Sequence, residues 1–448
     1  MAYGRIAMPI TTEILAKAGV VGAGGAGFPT HVKLSGKADT VVINGAECEP
    51  LLHKDKELLV KEGRAVIEGL ARAMELTGAR RGVVGIKRKY QRVIDSVAPL
   101  LREGMSIGPL DDVYPSGDEF ILIWQTLGRV IPPGGIPLAV GAVVMNVETA
   151  LNVARAEELP VVDKYITVAG AVRNPCSVCV PIGAPLSVCL AAAGGAEIDD
   201  PSFILGGAMM GTLVESLDGP VTKTTGGIIV LPKDHFIVRR KSWSWERTRR
   251  VARAACDQCS HCTEMCPRYL LGHPIEPAKS MRSVGFSGTG RAEFPGTLYC
   301  SECNLCSYCS CPEGLDPKGV NAENKRRLMA EKKRMENPPF HPERAARMMS
   351  MRQTPTHRLM QRIGLDRFVN KGELLGRPIE VRAVELPLKQ HIGAPLTPTV
   401  HAGQQVHRGE PVAVRPVADG KPALGADLHA SIDGVVTAVS DESIRIEA

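Results

Sequence analysis

Cys256-Asp257-Gln258-Cys259-Ser260-His261-Cys262-Thr263-Glu264-Met265-Cys266-Pro267 carries four cysteines at gaps of two, two and three residues, the last followed by proline. A CxxCxxC loop is tight enough to wrap three thiolates around one cubic iron–sulfur cluster, while the fourth cysteine, turned away before the proline, ligates a second cluster. Two [4Fe-4S] clusters are therefore expected, which requires a partner motif. It stands at Cys300, Cys303 and Cys306, closed by Cys311-Pro312. The assignment is Cys256, Cys259, Cys262 and Cys311 for one cluster, and Cys266, Cys300, Cys303 and Cys306 for the other. The closing gap is one residue longer than in the first motif and leaves Cys309 surplus, so Cys309 in place of Cys311 is the open alternative. Zinc prefers four ligands in separated CxxC pairs, a pattern that two triple-cysteine loops each closed by Cys-Pro do not follow.

Nine of the thirteen cysteines fall in this region. That spacing favours metal ligation in a reducing compartment over an extracellular disulfide framework. Cys48, Cys176, Cys179 and Cys189 stand outside it and read as small buried hydrophobes. The chain has 448 residues, 44% of them hydrophobic, enough for three or four packed cores. A formal charge of +6 from 54 basic and 48 acidic residues is too mild to imply a nucleic-acid partner. No apolar stretch has the length of a membrane span and the N-terminus shows no secretory pattern, so a cytoplasmic protein is expected.

On the N-terminal side, residues 11–20 read as a helix capped by Thr12, followed by a glycine-rich loop. Strands are expected at 40–43 and 82–86 around a helix at 56–76, an α/β region to about residue 155. From Lys164 to about Leu231 short strands, a turn at Asn174-Pro175 and a small-residue helix at 186–193 suggest an α+β module. The basic stretch 239–253, with two tryptophans, leads as a helix into the cysteines. Beyond them lie a basic helical run at 321–335 and a linker rich in proline, arginine and methionine. The last section alternates valine and isoleucine with glycine turns, and Asp433-Gly434 is a hairpin signal.

Gly22-Ala23-Gly24-Gly25-Ala26-Gly27 satisfies GxGxxG, but a helix precedes it and Phe28-Pro29 follows, the reverse of the strand–loop–helix order of a dinucleotide-binding fold. No Gly-Lys-Ser/Thr ends it, which excludes a Walker loop. Side-chain-free residues still let backbone N–H groups approach a phosphate or a flat ring. This loop, GAGGAGFPTHVK at 22–33, with NGAECEP at 44–50, YPSGDE at 114–119 and VMNVET at 144–149, resembles the flavin-binding subunit of respiratory complex I and the RnfC protein of Rnf complexes. The resemblance implies FMN held by Gly22, Gly24, Gly25, Gly27, Lys33, Asn44, Glu47, Tyr114, Gly117, Asp118, Asn146 and Thr149. It places Phe28, Glu49 and Glu119 against NADH. Lys33 would meet a phosphate or the flavin ring, and Glu47 or Glu49 has helix capping as a purely structural alternative. Ala23 and Met145 depart from the pattern, where relatives carry arginine and asparagine.

Residues 166–195 resemble the soluble-ligand-binding β-grasp module of these proteins. Gln390 to Pro395 and His429 to Gly434 resemble a barrel-sandwich module, here at the C-terminal end. That order, with YCSECNLCSYCSCPEGLDP at 299–317, resembles the cobalamin reductases of propanediol-utilisation microcompartments. The implied organisation is multidomain α/β and α+β: an FMN/NADH-binding domain at 1–160, the β-grasp module at 161–238, a double [4Fe-4S] domain at 239–335, a linker at 336–384 and the barrel-sandwich at 385–448. Electrons would run from NADH through FMN and the two clusters to a corrinoid. The expected setting is the interior of a bacterial microcompartment, with a corrinoid adenosyltransferase or an iron–sulfur shell protein as neighbours. An NADH:ferredoxin-type carrier and a non-catalytic iron–sulfur scaffold are the rival readings. The base-off corrinoid motif DxHxxG is missing, since Asp427-Leu428-His429-Ala430-Ser431-Ile432 lacks its glycine. NADPH in place of NADH stays open on the residues alone.

Overall fold

The computed structural model of the chain describes residues 10–286, 294–418 and 420–448. The first nine residues of the expected flavin domain and 287–293 of the cluster domain lie outside the described residues. In the N-terminal region four parallel strands run in the spatial order Met105–Leu110, Arg81–Lys87, Thr40–Asn44, Ala142–Asn146. The central strand is buried from Thr40 to Ile43, as a parallel strand covered on both faces must be. Its register sets Asn44 directly beside Asn146 at the carboxyl ends of neighbouring strands, the edge where open α/β sheets bind ligands. The helix Val147–Arg155 starts at once, its first turn capped by the Asn146 side chain, and packs on Gly63–Thr77. Contact is close because Gly69 has no Cβ to collide with the Ala150 carbonyl.

The single helix expected at 56–76 is two, Lys54–Lys61 and Gly63–Thr77, broken where Glu62 leaves helical geometry at φ −118° and ψ 17°. The first helix, Thr12–Lys17, is capped by the Thr11 hydroxyl rather than by Thr12.

The next region is a mixed five-stranded sheet in the order Cys176–Pro181, Asp163–Gly170, Gly227–Pro232, Pro201–Leu205, Thr212–Val214, with the helix Leu186–Ala192. Helices Trp245–Ala255, Pro277–Phe286 and Pro317–Ala330 then pack around the cysteine loops. The last begins four residues before the basic run expected at 321, because Asp316 caps it and Pro317 fits its first turn.

Residues 336–384, expected as a linker, carry the helices Glu343–Arg352 and Thr356–Arg362. Their apolar side chains, Met349, Leu359 and Ile363 among them, are buried against neighbouring regions, which holds the segment in place. Further on, Leu375 and Ile379 donate backbone hydrogen bonds to Ser177 and Cys179 at 2.8 Å, covering the edge of the five-stranded sheet.

Among the described residues the C-terminal module has three small sheets, of four, three and two strands. Asp433-Gly434 does not form a hairpin turn there. Leu428–His429 and Gly434–Val439 belong to different sheets, and the hairpin lies at Ser440–Glu442, where the Ser440 hydroxyl accepts from the Glu442 and Ser443 amides. The module docks on the N-terminal helix: Asp427 N–H donates to the Ala16 carbonyl at 3.0 Å, and Arg415 pairs with Glu13 at 3.1 Å. Among the described residues no helix is long and apolar enough to cross a membrane.

Candidate flavin pocket and cluster cage

The glycine loop connects the helices Thr12–Lys17 and Thr30–Leu34 and is tied down from below. Ala23 N–H donates to the Thr149 hydroxyl at 2.9 Å, and its carbonyl accepts from the Lys164 ammonium at 3.1 Å. Gly24, Gly25 and Ala26 are exposed. A Cβ on Gly24 would lie 2.8 Å from the Asn146 amide nitrogen, whereas one on Gly25 would meet nothing within 4 Å. The loop therefore rests on Asn146 and opens a side-chain-free concavity above it. Gly27 adopts φ 73°, and a Cβ there would lie 2.7 Å from both Thr224 and His391. Glycine is required on both counts.

A continuous set of contacts leads away from this cradle. Asn146 donates to the Asp55 carboxylate at 2.6 Å. The Glu47 carboxylate accepts from the Asp55 and Lys56 amides at 3.0 Å each, the capping role that was its structural alternative. Asn44 donates to the Gly117 carbonyl at 2.8 Å, and a Cβ on Gly117 would press on Cys48. Gly22, Gly24, Gly25, Asn44, Glu47, Gly117, Asn146 and Thr149 are thus joined around the carboxyl ends of two strands. The backbone amides and neutral side-chain amides there suit a phosphate and a flat ring. Cys48 is hemmed in by its neighbours, and burial pushes its thiol up to about 12.

Of the other residues assigned by resemblance, Lys33, Glu49, Tyr114, Asp118 and Glu119 are engaged by partners within the protein. The Lys33 ammonium pairs with Glu119 at 2.9 Å and donates to the Val144 carbonyl at 2.9 Å, so these two groups satisfy one another. Both Glu49 oxygens accept backbone amides, Met209 at 2.9 Å and Met210 at 3.0 Å, in a turn where Gly207 admits the carboxylate. Contact with a dinucleotide would break that clamp. Tyr114 is buried and donates to the Cys303 carbonyl at 2.8 Å. Asp118 caps the helix Glu119–Leu127 and pairs with Arg268 at 2.8 Å, while the Arg268 guanidinium lies over the Phe120 ring at 3.4 Å. Phe28 keeps an exposed ring beside the glycine loop.

Beneath the loop lies a group that sequence reasoning missed. Glu148 is 1% exposed and accepts from Lys54 at 2.8 Å and Lys164 at 2.6 Å, while Asp55 also pairs with Lys54 at 2.9 Å. Its signal in the sequence is the glutamate inside the 144–149 block, whose lysine partners lie in other segments. Burial raises its carboxyl, but the two ammonium groups outweigh that and hold it below the usual range.

The cysteines fall into two sets. Cys256, Cys259, Cys262 and Cys311 line one small cavity, and the other three are the charged neighbours felt by Cys262. Cys306 lies within electrostatic reach of Cys303, Cys300 and Cys266, then of Cys262 in the first set. Cys309 points away from both sets: it is not in the cavity of the first, and its thiol neighbours are Thr354 and Arg362. Burial pushes the Cys262 and Cys303 thiols up to about 12, so four thiolates per set require a compensating cationic centre. Among the described residues no three His, Cys, Asp or Glu side chains converge closely enough for a single metal ion.

Residues 15–155 match the family described as the Nuo51 FMN-binding domain, 165–213 the SLBB domain, 255–316 a 4Fe-4S dicluster domain and 371–447 the RnfC barrel sandwich hybrid domain. The chain is 46% identical to the cobalamin reductase PduS of Salmonella typhimurium, over 97% of this chain and 95% of that one. It is 35% identical to a component of the Na(+)-translocating ferredoxin:NAD(+) oxidoreductase complex of Acetobacterium woodii, over 58% of each chain. Among solved structures, a chain of the NAD+-reducing [NiFe]-hydrogenase in its H2-reduced state matches with a TM-score of 0.47 and 19% identity, covering 73% of this chain and 63% of that one. The fold class is therefore a complex-I-type flavin domain, a β-grasp module, a 4Fe-4S domain and a C-terminal barrel-sandwich.

Proposed function

From the premise that the chain belongs to the PduS cobalamin reductase family, we propose that it oxidises NADH and reduces a corrinoid, cob(III)alamin toward cob(II)- and cob(I)alamin, in 1,2-propanediol degradation. FMN and two [4Fe-4S] clusters are its resident cofactors in this reading. When bound, the flavin accepts the two electrons of a hydride and releases them singly, as clusters require.

The observation that carries the reading is the seam between the two cofactor regions. The 114–119 segment contributes Gly117 to the cradle, yet its Tyr114 hydroxyl holds the Cys303 carbonyl at 2.8 Å and its Asp118 holds Arg268, two residues after Cys266, at 2.8 Å. One short segment thus fixes the distance between flavin cradle and cluster loop, which single-electron transfer needs and a structural scaffold does not. Asn44, Asn146 and the Gly24–Ala26 amides hold the flavin and its phosphate. The eight thiols of the two sets hold the clusters, with Cys311 closing the first. Phe28 is the exposed ring left beside the cradle for the dinucleotide, while Glu49 and Glu119 act as clamps.

The five-part division of the chain is kept, with 336–384 acting as a strap over the sheet edge. The setting is a bacterial microcompartment, and a corrinoid adenosyltransferase and an iron–sulfur shell protein are the neighbours this reading expects.

The test is anaerobic. With flavin and iron–sulfur centres reconstituted, NADH should bleach both, and hydroxocobalamin should reoxidise them as cob(II)- or cob(I)alamin appears. Centres that stay reduced with corrinoid present would remove the acceptor from the proposal, and centres indifferent to NADH would remove the donor.

A variant separates cradle from scaffold. The Cβ of Gly25→Val would meet no atom within 4 Å in the free protein, and the position is exposed, so its melting temperature should stay close to the wild-type value. Flavin bound per chain should fall at least about tenfold, as the new side chain fills the space a ligand takes. Flavin released by acid precipitation measures this.

A further inference from the structure

A groove of about 770 Å³ opens beside the second cluster loop, away from the flavin cradle. Glu302 and Asn304 of that loop form one wall, Trp243 and Trp245 another, and the start of the helix Pro317–Ala330, which follows Cys311, a third. Its volume falls within the range of small-molecule sites.

The chemistry of the walls narrows the occupant. Lys318 and Lys325 both pair with Glu302, at 3.6 and 3.2 Å, and Arg326 pairs with Glu323 at 2.7 Å. Lys241 gives its ammonium to the Met209 and Gly211 carbonyls. Arg240 stacks on Trp243 at 4.1 Å, with Arg247 over the same ring at 4.7 Å. Carboxylates answer Lys318, Lys325 and Arg326, Lys241 is held by carbonyls, and Arg240 lies on a ring face, so the five cations and three carboxylates of the lining leave a formal excess of only two. Such a surface is poorly made for a strongly acidic protein, whose affinity rests on unanswered positive charge. It offers what a methyl-studded, carboxamide-fringed macrocycle with a single phosphodiester requires: rigid aromatic walls, and carboxylates and ammonium groups as paired acceptors and donors.

We propose that this groove binds the corrinoid acceptor, with its macrocycle between the tryptophan wall and the 300–306 loop. The proposal rests on the corrinoid reading given above. Asn304 donates to the Met209 carbonyl at 2.6 Å, and Glu49 holds the Met209 and Met210 amides, so the rim of the groove is anchored to the flavin domain.

Two variants fill the groove from opposite sides. Thr212 is exposed on the edge strand Thr212–Val214, and Ala322 faces the groove from the helix Pro317–Ala330. In the reconstituted, oxidised holoprotein, calorimetric titration with hydroxocobalamin should give at least about tenfold weaker binding for Thr212→Trp and for Ala322→Trp, a size ordinary for a blocked pocket. NADH-driven bleaching of flavin and clusters should stay at the wild-type rate. Wild-type affinity in both variants overturns the groove while leaving the corrinoid reading intact, as does a loss of ferredoxin reduction with corrinoid binding unchanged. A wild-type protein that NADH reduces but that neither binds hydroxocobalamin nor is reoxidised by it overturns the groove and the corrinoid reading together.

Discussion

Glu148→Leu is expected to destabilise the flavin domain by about 3–5 kcal/mol, the range found when one partner of a buried ion pair is removed and the other charge stays behind. Here two charges stay behind. Lys54 and Lys164 are 4% and 1% exposed, and both reach the same Glu148 oxygen, while the second oxygen accepts from the Tyr165 amide at 3.2 Å. Glu148→Gln keeps that last bond and loses the charge, so it should fall between wild type and leucine.

The pH dependence separates a charge effect from a packing effect. Burial lowers both lysines, but Asp55 and Glu148 together carry Lys54 above its ordinary value, whereas Lys164, sharing Glu148 and repelled by Lys54, comes down to about 8. Glu148 is depressed in the folded protein, so its contribution is present above its unfolded pKa and is lost as pH falls through the folded one. Lys164 acts on the other limb. Between about 8 and the ordinary lysine value of 10.5 the unfolded chain binds more protons, so stability contributed by this group rises with pH across that window. Urea unfolding midpoints, compared with wild type from pH 3 to 10, should show the acid limb flattened in both variants. A leucine variant whose midpoint matches wild type at pH 7 would show that the pair adds nothing.

How far these features could be read beforehand depends on the range of the interaction. The cysteine sets were legible because ligand spacing within a short loop is local, whereas Asn44 and Asn146 were reached through the resemblance carried by their segments. Tyr114 to Cys303 and Asp118 to Arg268 were not legible, since 189 and 150 residues separate the partners and no periodicity encodes them. Glu49 and Lys33 show the same limit: their segments were identified by resemblance, yet each side chain is taken by a partner from a distant segment. The mistaken hairpin at Asp433-Gly434 has a different cause. The dipeptide is a sound turn former, but the two strands it separates bond to different sheets, which local turn chemistry cannot foresee. The segment 336–384 misled through composition. Proline and arginine disguised the apolar side chains, Met349, Leu359 and Ile363, that pin it down.

The sharpest consequence of the cage concerns the cysteine pair that spacing left open. Cys309 and Cys311 are two residues apart, but the five-residue helical bulge Cys306–Ser310 turns them in different directions. Cys311 is sent back to Cys256, Cys259 and Cys262, while Cys309 is sent toward Thr354. Cys311→Ser should therefore lose the first cluster, with iron falling from about eight to about four per chain on the count for two cubic clusters. The second cluster should persist, because its four thiols are untouched. Cys309→Ser should keep the full iron content and the wild-type spectrum. Electron delivery to corrinoid should be at least about a hundredfold slower in Cys311→Ser, the scale at which lost cofactor geometry is ordinarily felt. Flavin bleaching by NADH should survive, since the cradle shares no residue with the first cluster. Iron and sulfide analysis with low-temperature electron paramagnetic resonance would decide between the two cysteines. Half the iron lost in Cys309→Ser, with Cys311→Ser intact, would mean that the bulge rearranges when iron is loaded and that the alternative ligand is the true one.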